Sequence, residues 1–336
     1  MRGLLVIALI AACSKSDPVP AATGSAGSAA GSAAVGSAAG NDPWSQPAKV
    51  DPNAPPSLLE RAKAVEAACP TVTAPYFFEV TAKNGKVSHM LGTRHISVGL
   101  AKFPASVTET IKSAKLAVFE VSPDDHGGGI RSHDEPLRDE LGSADWKHFE
   151  DLIGKNSAGD FAVASPTSAA VSMMVLYEDI SNMLDKQIEE LVAEQKIPAR
   201  GLETAAFQDK VLDHLLDLRM LKATIEQTKD RDEIKKQSHD DLDQYCNGTD
   251  DSPGMDEESR GKMLKSGYTA AELDAMDEEL VFARNRSWIP KLEQMFEQGD
   301  VFLAVGADHL IGTKGVPSLL EARGLKVKRL TPPIKH

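Results

Sequence analysis

Three things are scarce in this chain of 336 residues: cysteine, net positive charge and long apolar runs. Its three cysteines lack the spacing of a metal knuckle or a redox pair, which excludes a cysteine-held metal and a dithiol catalyst. Lysine and arginine total 37 against 50 aspartates and glutamates, a formal net charge of −13. A nucleic-acid binder needs a basic face to meet phosphates, and this balance argues against one. Beyond the N-terminus no apolar run reaches the roughly 18 residues that a membrane span requires. What remains is ordinary for a protein with a real core: 41% hydrophobic and 26% charged residues.

The N-terminus reads as a targeting segment. Met1-Arg2 is a minimal positive region, and Gly3 to Ala12 supplies about ten mostly apolar residues, as in a secretory signal. It ends Ile10-Ala11-Ala12-Cys13, and small residues directly before a cysteine resemble the lipobox of bacterial lipoprotein signals. The resemblance implies cleavage before Cys13 and acylation of that residue, several chains anchoring stably what one holds only marginally. The alternative is an ordinary secretory signal cut near Ala12, with Cys13 incidental. From Ala21 to Gly40 the chain is almost wholly Ala, Gly and Ser, which cannot bury enough apolar surface to fold. Interspersed glycines, each costing about 1 kcal/mol in a helix, oppose a helical reading. A flexible tether of about 30 residues spans roughly 30 Å. The expected organisation is a signal over residues 1–12, a tether over 13–56 and a folded domain over 57–336. Ser14 after the lipidated cysteine favours outer-membrane sorting, so the expected location is a bacterial cell envelope, outer membrane or periplasm. With Cys13 taken by lipid, Cys69 and Cys246 remain. Outside the cytoplasm such a pair is a natural disulfide, with two separate buried thiols as the alternative.

Within the domain, Leu58 to Ala68 has helical spacing and stops at Cys69-Pro70. Tyr76 to Thr81 reads as a strand, and Asn84-Gly85 signals a hairpin into a second strand. A helix over Phe103 to Lys115 and a buried strand, Leu116 to Val121, follow. His126-Gly127-Gly128-Gly129 lacks the Lys-Ser/Thr of a phosphate loop and reads as a turn. Ser165 to Glu194 reads as a long helix or helix pair, apolar at Val171, Met174, Val175, Leu176 and Ile180. A helix is expected over Ala205 to Ile225, helical structure to about Lys236, and then a solvated acidic loop from Asp240 to Glu258 whose spacing does not match an EF-hand. Thr269 to Glu272 is a capping box, and a helix over Met276 to Phe296 carries Arg284-Asn285. The strand Val301 to Val305, a glycine turn, the helix Val316 to Arg323 and the strand Lys326 to Leu330 close the domain.

Two stretches stand out for chemistry. Val87 to Leu91 ends on Gly92-Thr93-Arg94-His95, and Val301 to Val305 ends on Gly306-Ala307-Asp308-His309. A strand that stops at glycine turns sharply and presents the next side chains at the carboxyl edge of an open α/β sheet, where sites are built. Glu120 closes a third apolar strand, and Glu203 stands at a strand–helix junction. Two imidazoles with one or two carboxylates suit a divalent metal that activates water. A spare carboxylate would then serve as general base, and Arg284 would stabilise an oxyanion. His89, His126, His133, His148, His214, His239 and His336 fall on loops, helices or the tail and read as ordinary.

Gly-Thr-x-His after a hairpin, Val-Phe-Glu at residues 118–120, Gly-Leu-Glu-Thr at 201–204 with Gln208 behind it, Arg284-Asn285 on a helix, and Val-Gly-Ala-x-His-Leu at 305–310 together resemble the TraB/PrgY/GumN family. That family is related to the Tiki extracellular metalloproteases and, more distantly, to the erythromycin esterase/ChaN-like fold. The resemblance covers about Pro75 to Leu330. It implies a mixed α/β (α+β) domain of two related strand–helix halves, each giving one Gly-x-x-His, with a helical insertion. From the Tiki relatives it implies metal-dependent peptide hydrolysis with manganese or cobalt; zinc also suits the donors. Carried onto this chain, His95, Glu120 and His309 match the metal-site residues. Glu120 belongs to the catalytic centre as well, Glu203 is a further candidate ligand or base, and Arg284 and Asn285 match the helix pair near it, all three being catalytic candidates. Two positions depart from the pattern: Arg94 stands where a small or aliphatic residue is usual, and Asp308 where glycine is usual. These charges either pair with each other or alter substrate choice. The expected function is a membrane-anchored, extracytoplasmic metal-dependent hydrolase with a peptide or protein substrate. The alternatives are a non-catalytic peptide-binding lipoprotein and a metal-independent esterase that uses a histidine base.

Overall fold

The computed structural model describes residues 55–126, 135–249 and 253–330. Cys13, the signal and nearly all of the tether, the glycine run at 127–129, His133 and His336 therefore lie outside the described residues. Ser57 opens the domain. Its hydroxyl accepts from the Glu60 amide while Glu60 reaches back to the Ser57 backbone, a reciprocal capping box that starts α1 (Leu58–Ala68).

β1 (Phe77–Thr81) and β2 (Val87–Thr93) form the hairpin, antiparallel, with Gly85 at φ 84° in the turn. α2 (Ala105–Ser113) buries Val107 and Ile111 and leads into β3 (Leu116–Val121). A helical stretch follows: α3 (Leu137–Ile153), α4 (Lys155–Asp160), α5 (Pro166–Met174) and α6 (Leu184–Glu194). β4 (Ala199–Glu203) returns to the sheet, and a second helical stretch runs through α7 (Ala205–Leu215), α8 (Leu218–Gln227), α9 (Arg231–Asn247), α10 (Glu257–Lys265) and α11 (Ala270–Asp277). A π-helical turn, Glu278–Phe282, joins α11 to α12 (Ala283–Phe296). β5 (Val301–Gly306), a 3₁₀ turn (Ala307–Leu310), α13 (Val316–Ala322) and β6 (Lys326–Arg329) complete the described domain.

The six strands form one mixed sheet in the order β4-β3-β5-β2-β1-β6. β2, β5, β3 and β4 are mutually parallel neighbours, and β1 is antiparallel to both β2 and β6. Every residue of β5 is buried, as expected of a central parallel strand covered on both faces. Phe302 and Leu303 are wholly enclosed, each contributing on the order of 1.5–3 kcal/mol by burial. β6, at the edge, alternates exposed lysines with half-buried residues, and charge there discourages pairing with another chain. Two apolar clusters result. One sandwiches the sheet between α1, α2, α6, α9, α12 and α13; the other fills the layer of α3, α5, α7, α8 and the π turn.

The sequence-derived readings need three corrections. Ser165 to Glu194 is the helix pair, parted by irregular turns over residues 175–183, and the correction there is Ile180, which is exposed rather than on an apolar face. The expected helix over Ala205 to Ile225 breaks at Leu216-Asp217, where the Asp217 carboxylate caps a new helix by accepting from the Met220 amide. Half of the expected acidic loop is helical. α9 runs on to Asn247 and ends at Gly248, in the left-handed region at φ 60°. Asp243 is exposed on its outer face, Asp241 turns a buried oxygen inward toward the charge of Arg94, and Leu242, Tyr245 and Cys246 are buried.

Cys69 and Cys246 form a disulfide with Cα atoms 6.0 Å apart, joining the end of α1 to the end of α9. Next to it, the buried Tyr245 hydroxyl donates to the Gly92 carbonyl at 2.8 Å. The disulfide thus fixes the helix that braces the first Gly-x-x-His turn.

Candidate functional site

The strand order does the assembling. β5 is the last of the four parallel strands in the chain and inserts between β2 and β3. At the carboxyl ends of four adjacent strands this sets Glu203, Glu120, the His309 turn and the His95 turn side by side. Sequence reasoning placed all four at strand ends; the parallel pairing puts them on one edge. The two Gly-x-x-His turns abut. Thr93 is in register with Gly306, and a Cβ on Gly92 would come within 2.9 Å of the Ala307 Cα and 2.8 Å of the Tyr76 Cβ. Glycine is required here for space.

Arg284 is the clamp. Its Nη2 donates to Glu120 Oε2 and to Glu203 Oε1, both at 2.5 Å, and its Nε donates to both Glu203 oxygens at 3.1 Å. Nη1 donates to the Leu280 carbonyl at 2.8 Å, a group on the π turn. Such turns inside α-helices are frequent at functional sites. Trp288, one helical turn after Arg284, adds an indole donor to Glu203 Oε2 at 3.2 Å, and its ring packs against His309 with centroids 4.5 Å apart. Glu203 is therefore held on both oxygens. Burial pushes its carboxyl above the ordinary value, partly offset by Arg284.

Glu120 is buried and rich in donors. Oε2 also accepts from the Gln208 amide at 3.1 Å, and Oε1 accepts from the Gly306 backbone N–H at 2.8 Å. Burial would raise this carboxyl, but Arg284, His309 and His95 together pull it down to about 2. It is ionised at neutral pH.

His309 takes its protonation state from Asn285. The Asn285 amide nitrogen donates to the Lys314 carbonyl at 3.0 Å, which turns its oxygen toward His309 Nδ1 at 2.6 Å. Nδ1 must carry the proton, leaving the lone pair on Nε2. Burial pushes this imidazole down to about 3 against the pull of Glu120, so the ring is neutral. Its Nε2 lies 3.7 Å from Glu120 Oε1, and with the ring neutral this is a meeting of two electron-pair donors rather than an ion pair.

His95 repeats the arrangement with a different partner. Its Nδ1 contacts Asp185 Oδ2 at hydrogen-bond range, and Asp185 Oδ1 accepts from the Thr93 hydroxyl at 2.7 Å. Its Nε2 is buried with no hydrogen-bond partner. Burial opposes protonation, but Asp185 outweighs it and holds the ring above the ordinary histidine value. His309 thus offers its Nε2 lone pair beside the ionised Glu120, and His95 does the same once its ring gives up the Nε2 proton, Nδ1 staying on Asp185.

The family model for TraB/PrgY/gumN matches residues 77–329. The chain belongs to the TraB/PrgY/gumN family. Comparison with curated proteins and with solved structures finds no match. The residues through which this TraB/PrgY/gumN chain resembled its family are those that meet at the sheet edge: His95, Glu120, Glu203, Gln208, Arg284, Asn285 and His309.

Three residues of the site were missed in the sequence. Trp288 had a signal, its four-residue spacing from Arg284. Asp185 and Glu178 had none. Arg94 does find a partner, but it is Glu178, at 2.8 Å and buried, which also accepts from Ser238 and lies against the Ser97 hydroxyl. Asp308 is buried on its own turn. The histidines read as ordinary stand apart in the described residues: His89 stacks on Phe77, and His214 pairs with Glu279 at the surface.

Proposed function

We propose that this chain is an extracytoplasmic metal-dependent hydrolase of peptide bonds. One observation carries the metal: His95 Nε2 is buried with no hydrogen-bond partner, and His309 Nε2, its ring proton held on Nδ1 by Asn285, faces Glu120 Oε1 at 3.7 Å with no proton between them. As the side chains stand, no group of three His, Cys, Asp and Glu among the described residues is placed to hold a metal ion. The donor set nevertheless fits one. Both imidazoles have Nδ1 tied to an oxygen, the usual second-layer arrangement behind metal-binding histidines. Two buried carboxylates share a single guanidinium, which leaves room for positive charge.

His95, His309 and Glu120 would hold the ion. When bound it supplies a Lewis acid and a water acidified toward neutrality. The protein's own part is electrostatic. Arg284, fixed by Glu120, Glu203 and Leu280, is a preorganised positive charge that would stabilise a carbonyl oxygen becoming anionic at this edge. Glu203 has both oxygens engaged, so it acts by holding Arg284. Peptide as the substrate rests on the family resemblance. Attachment through Cys13 belongs to the same reading, and the Cys69–Cys246 disulfide suits an oxidising compartment.

Thermal unfolding of the full chain after chelation, and then with manganese, cobalt or zinc alone, tests this. At a hundredfold excess over its dissociation constant a metal stabilises by about 2.7 kcal/mol, a rise of about 5–10 °C for a domain of this size. His95→Ala and His309→Ala should each lose the rise, together with metal-dependent cleavage of an unstructured peptide. Absence of a shift with all three metals would overturn the reading.

A further inference from the structure

We infer that Asp185, with Thr93 behind it, is the positioning residue that makes His95 a ligand; the inference rests on the metal reading above and adds a residue outside the family's motifs. Asp185 is in the first turn of α6, 90 positions from His95, and no pattern in the sequence ties the two. Its carboxylate divides its work. Oδ2 receives the His95 Nδ1 proton, and Oδ1 receives the hydroxyl proton of Thr93, the last residue of β2 and fully buried. The backbone holds the same link from the other side, because the Leu184 amide donates to the His95 carbonyl at 3.1 Å. α6 and the first Gly-x-x-His turn are therefore locked at two points.

A carboxylate accepts only, so Nδ1 of His95 must be the protonated nitrogen and Nε2 carries the lone pair of the neutral ring. At His309 the same outcome is obtained with Asn285, whose orientation is set by the Lys314 carbonyl. Asp185 thus does for the first turn what Asn285 does for the second.

The consequence is specific. In Asp185→Asn the Thr93 hydroxyl still needs an acceptor, so the amide oxygen stays on Thr93 and the NH₂ faces His95. A donor at that place forces Nδ1 to accept and moves the proton to Nε2. Removing the Thr93 hydroxyl as well, in Thr93→Val/Asp185→Asn, frees the amide to turn its oxygen to His95 and restore the original tautomer. A merely structural role for Asp185 predicts no such rescue.

The experiment is nitrogen-15 NMR of the full chain labelled at histidine, metal-free and at alkaline pH, with His95→Gln to assign the signal, alongside calorimetric titration with manganese, cobalt or zinc. The expected result is Nδ1–H in wild type, Nε2–H in Asp185→Asn and Nδ1–H again in the double variant. Metal affinity should fall by about 10- to 100-fold in the single variant and recover in the double. An Nε2–H ring in wild type, or a metal affinity in Asp185→Asn equal to wild type, would overturn the inference. The predicted tautomer switch in a wild type that binds none of the metals would sustain Asp185 as the residue that sets His95 and overturn the metal reading instead.

Discussion

Arg284→Met removes the one cation between two buried carboxylates while keeping most of the side-chain volume. Arg284 and Glu120 are nearly inaccessible, and Glu203 is almost as enclosed. In wild type the Glu120 carboxyl lies at about 2 instead of its ordinary 4.5. A lowered folded-state value stabilises above the ordinary value and loses that contribution as pH falls toward 2. The full depression corresponds to about 3 kcal/mol at neutral pH. Glu203 has the opposite sign: its raised value favours folding in acid and weakens it as pH rises. Without Arg284, burial dominates for both groups, and both become carboxyls whose folded-state values lie above the ordinary ones. Their contribution is then present in acid and lost toward neutrality. Stranding a charge by removing its buried partner costs about 3–5 kcal/mol. For a domain of this size that lowers the melting midpoint by roughly 6–20 °C. The assay is calorimetric melting of chelated wild type and Arg284→Met from neutral pH down to about pH 4. The gap should be widest at neutral pH and close as the medium acidifies. A gap that is absent, or that stays constant with pH, would refute the ion-pair account of this site.

Two other perturbations have equally definite outcomes. The Cys69–Cys246 disulfide closes a loop of 177 residues, so reduction should destabilise by about 2–5 kcal/mol. It should also loosen the Gly92 turn through Tyr245, which hydrogen exchange at residues 92–95 would detect; unchanged melting and exchange would refute this. Cys13→Ser should remove acylation and release the chain from membranes in fractionation, whereas retention on membranes would set the lipid-anchor reading aside.

A good deal of the site was legible in the sequence because its signals are local. Gly92-x-x-His95 and Gly306-x-x-His309 each follow an apolar strand, Val118-Phe119-Glu120 ends one, and a strand that stops presents its next side chains at the sheet edge. The helix start at Thr269 was legible for a related reason, since its capping box is a contact among residues three apart. Expectation failed where two structures of similar local cost competed. Leu216-Asp217 interrupts a pattern that would continue as helix, and Asp240 to Asn247 is helical despite its carboxylates, because Tyr245 and Cys246 have partners on the sheet side.

The sequence alone determined that Gly-x-x-His turns and two strand-terminal carboxylates exist, and that the chain belongs with proteins that share them. Only the tertiary structure decided how they meet. The insertion of β5 between β2 and β3 aligned four strand ends, and the π turn before α12 aimed Arg284 at two of them. Folding also gave each histidine its tautomer. Asp185 reaches His95 across 90 residues and Asn285 reaches His309 across 24, and the position of a proton on a ring depends on which oxygen faces it. That is a property of neighbours in space, and no spacing in the chain encodes it.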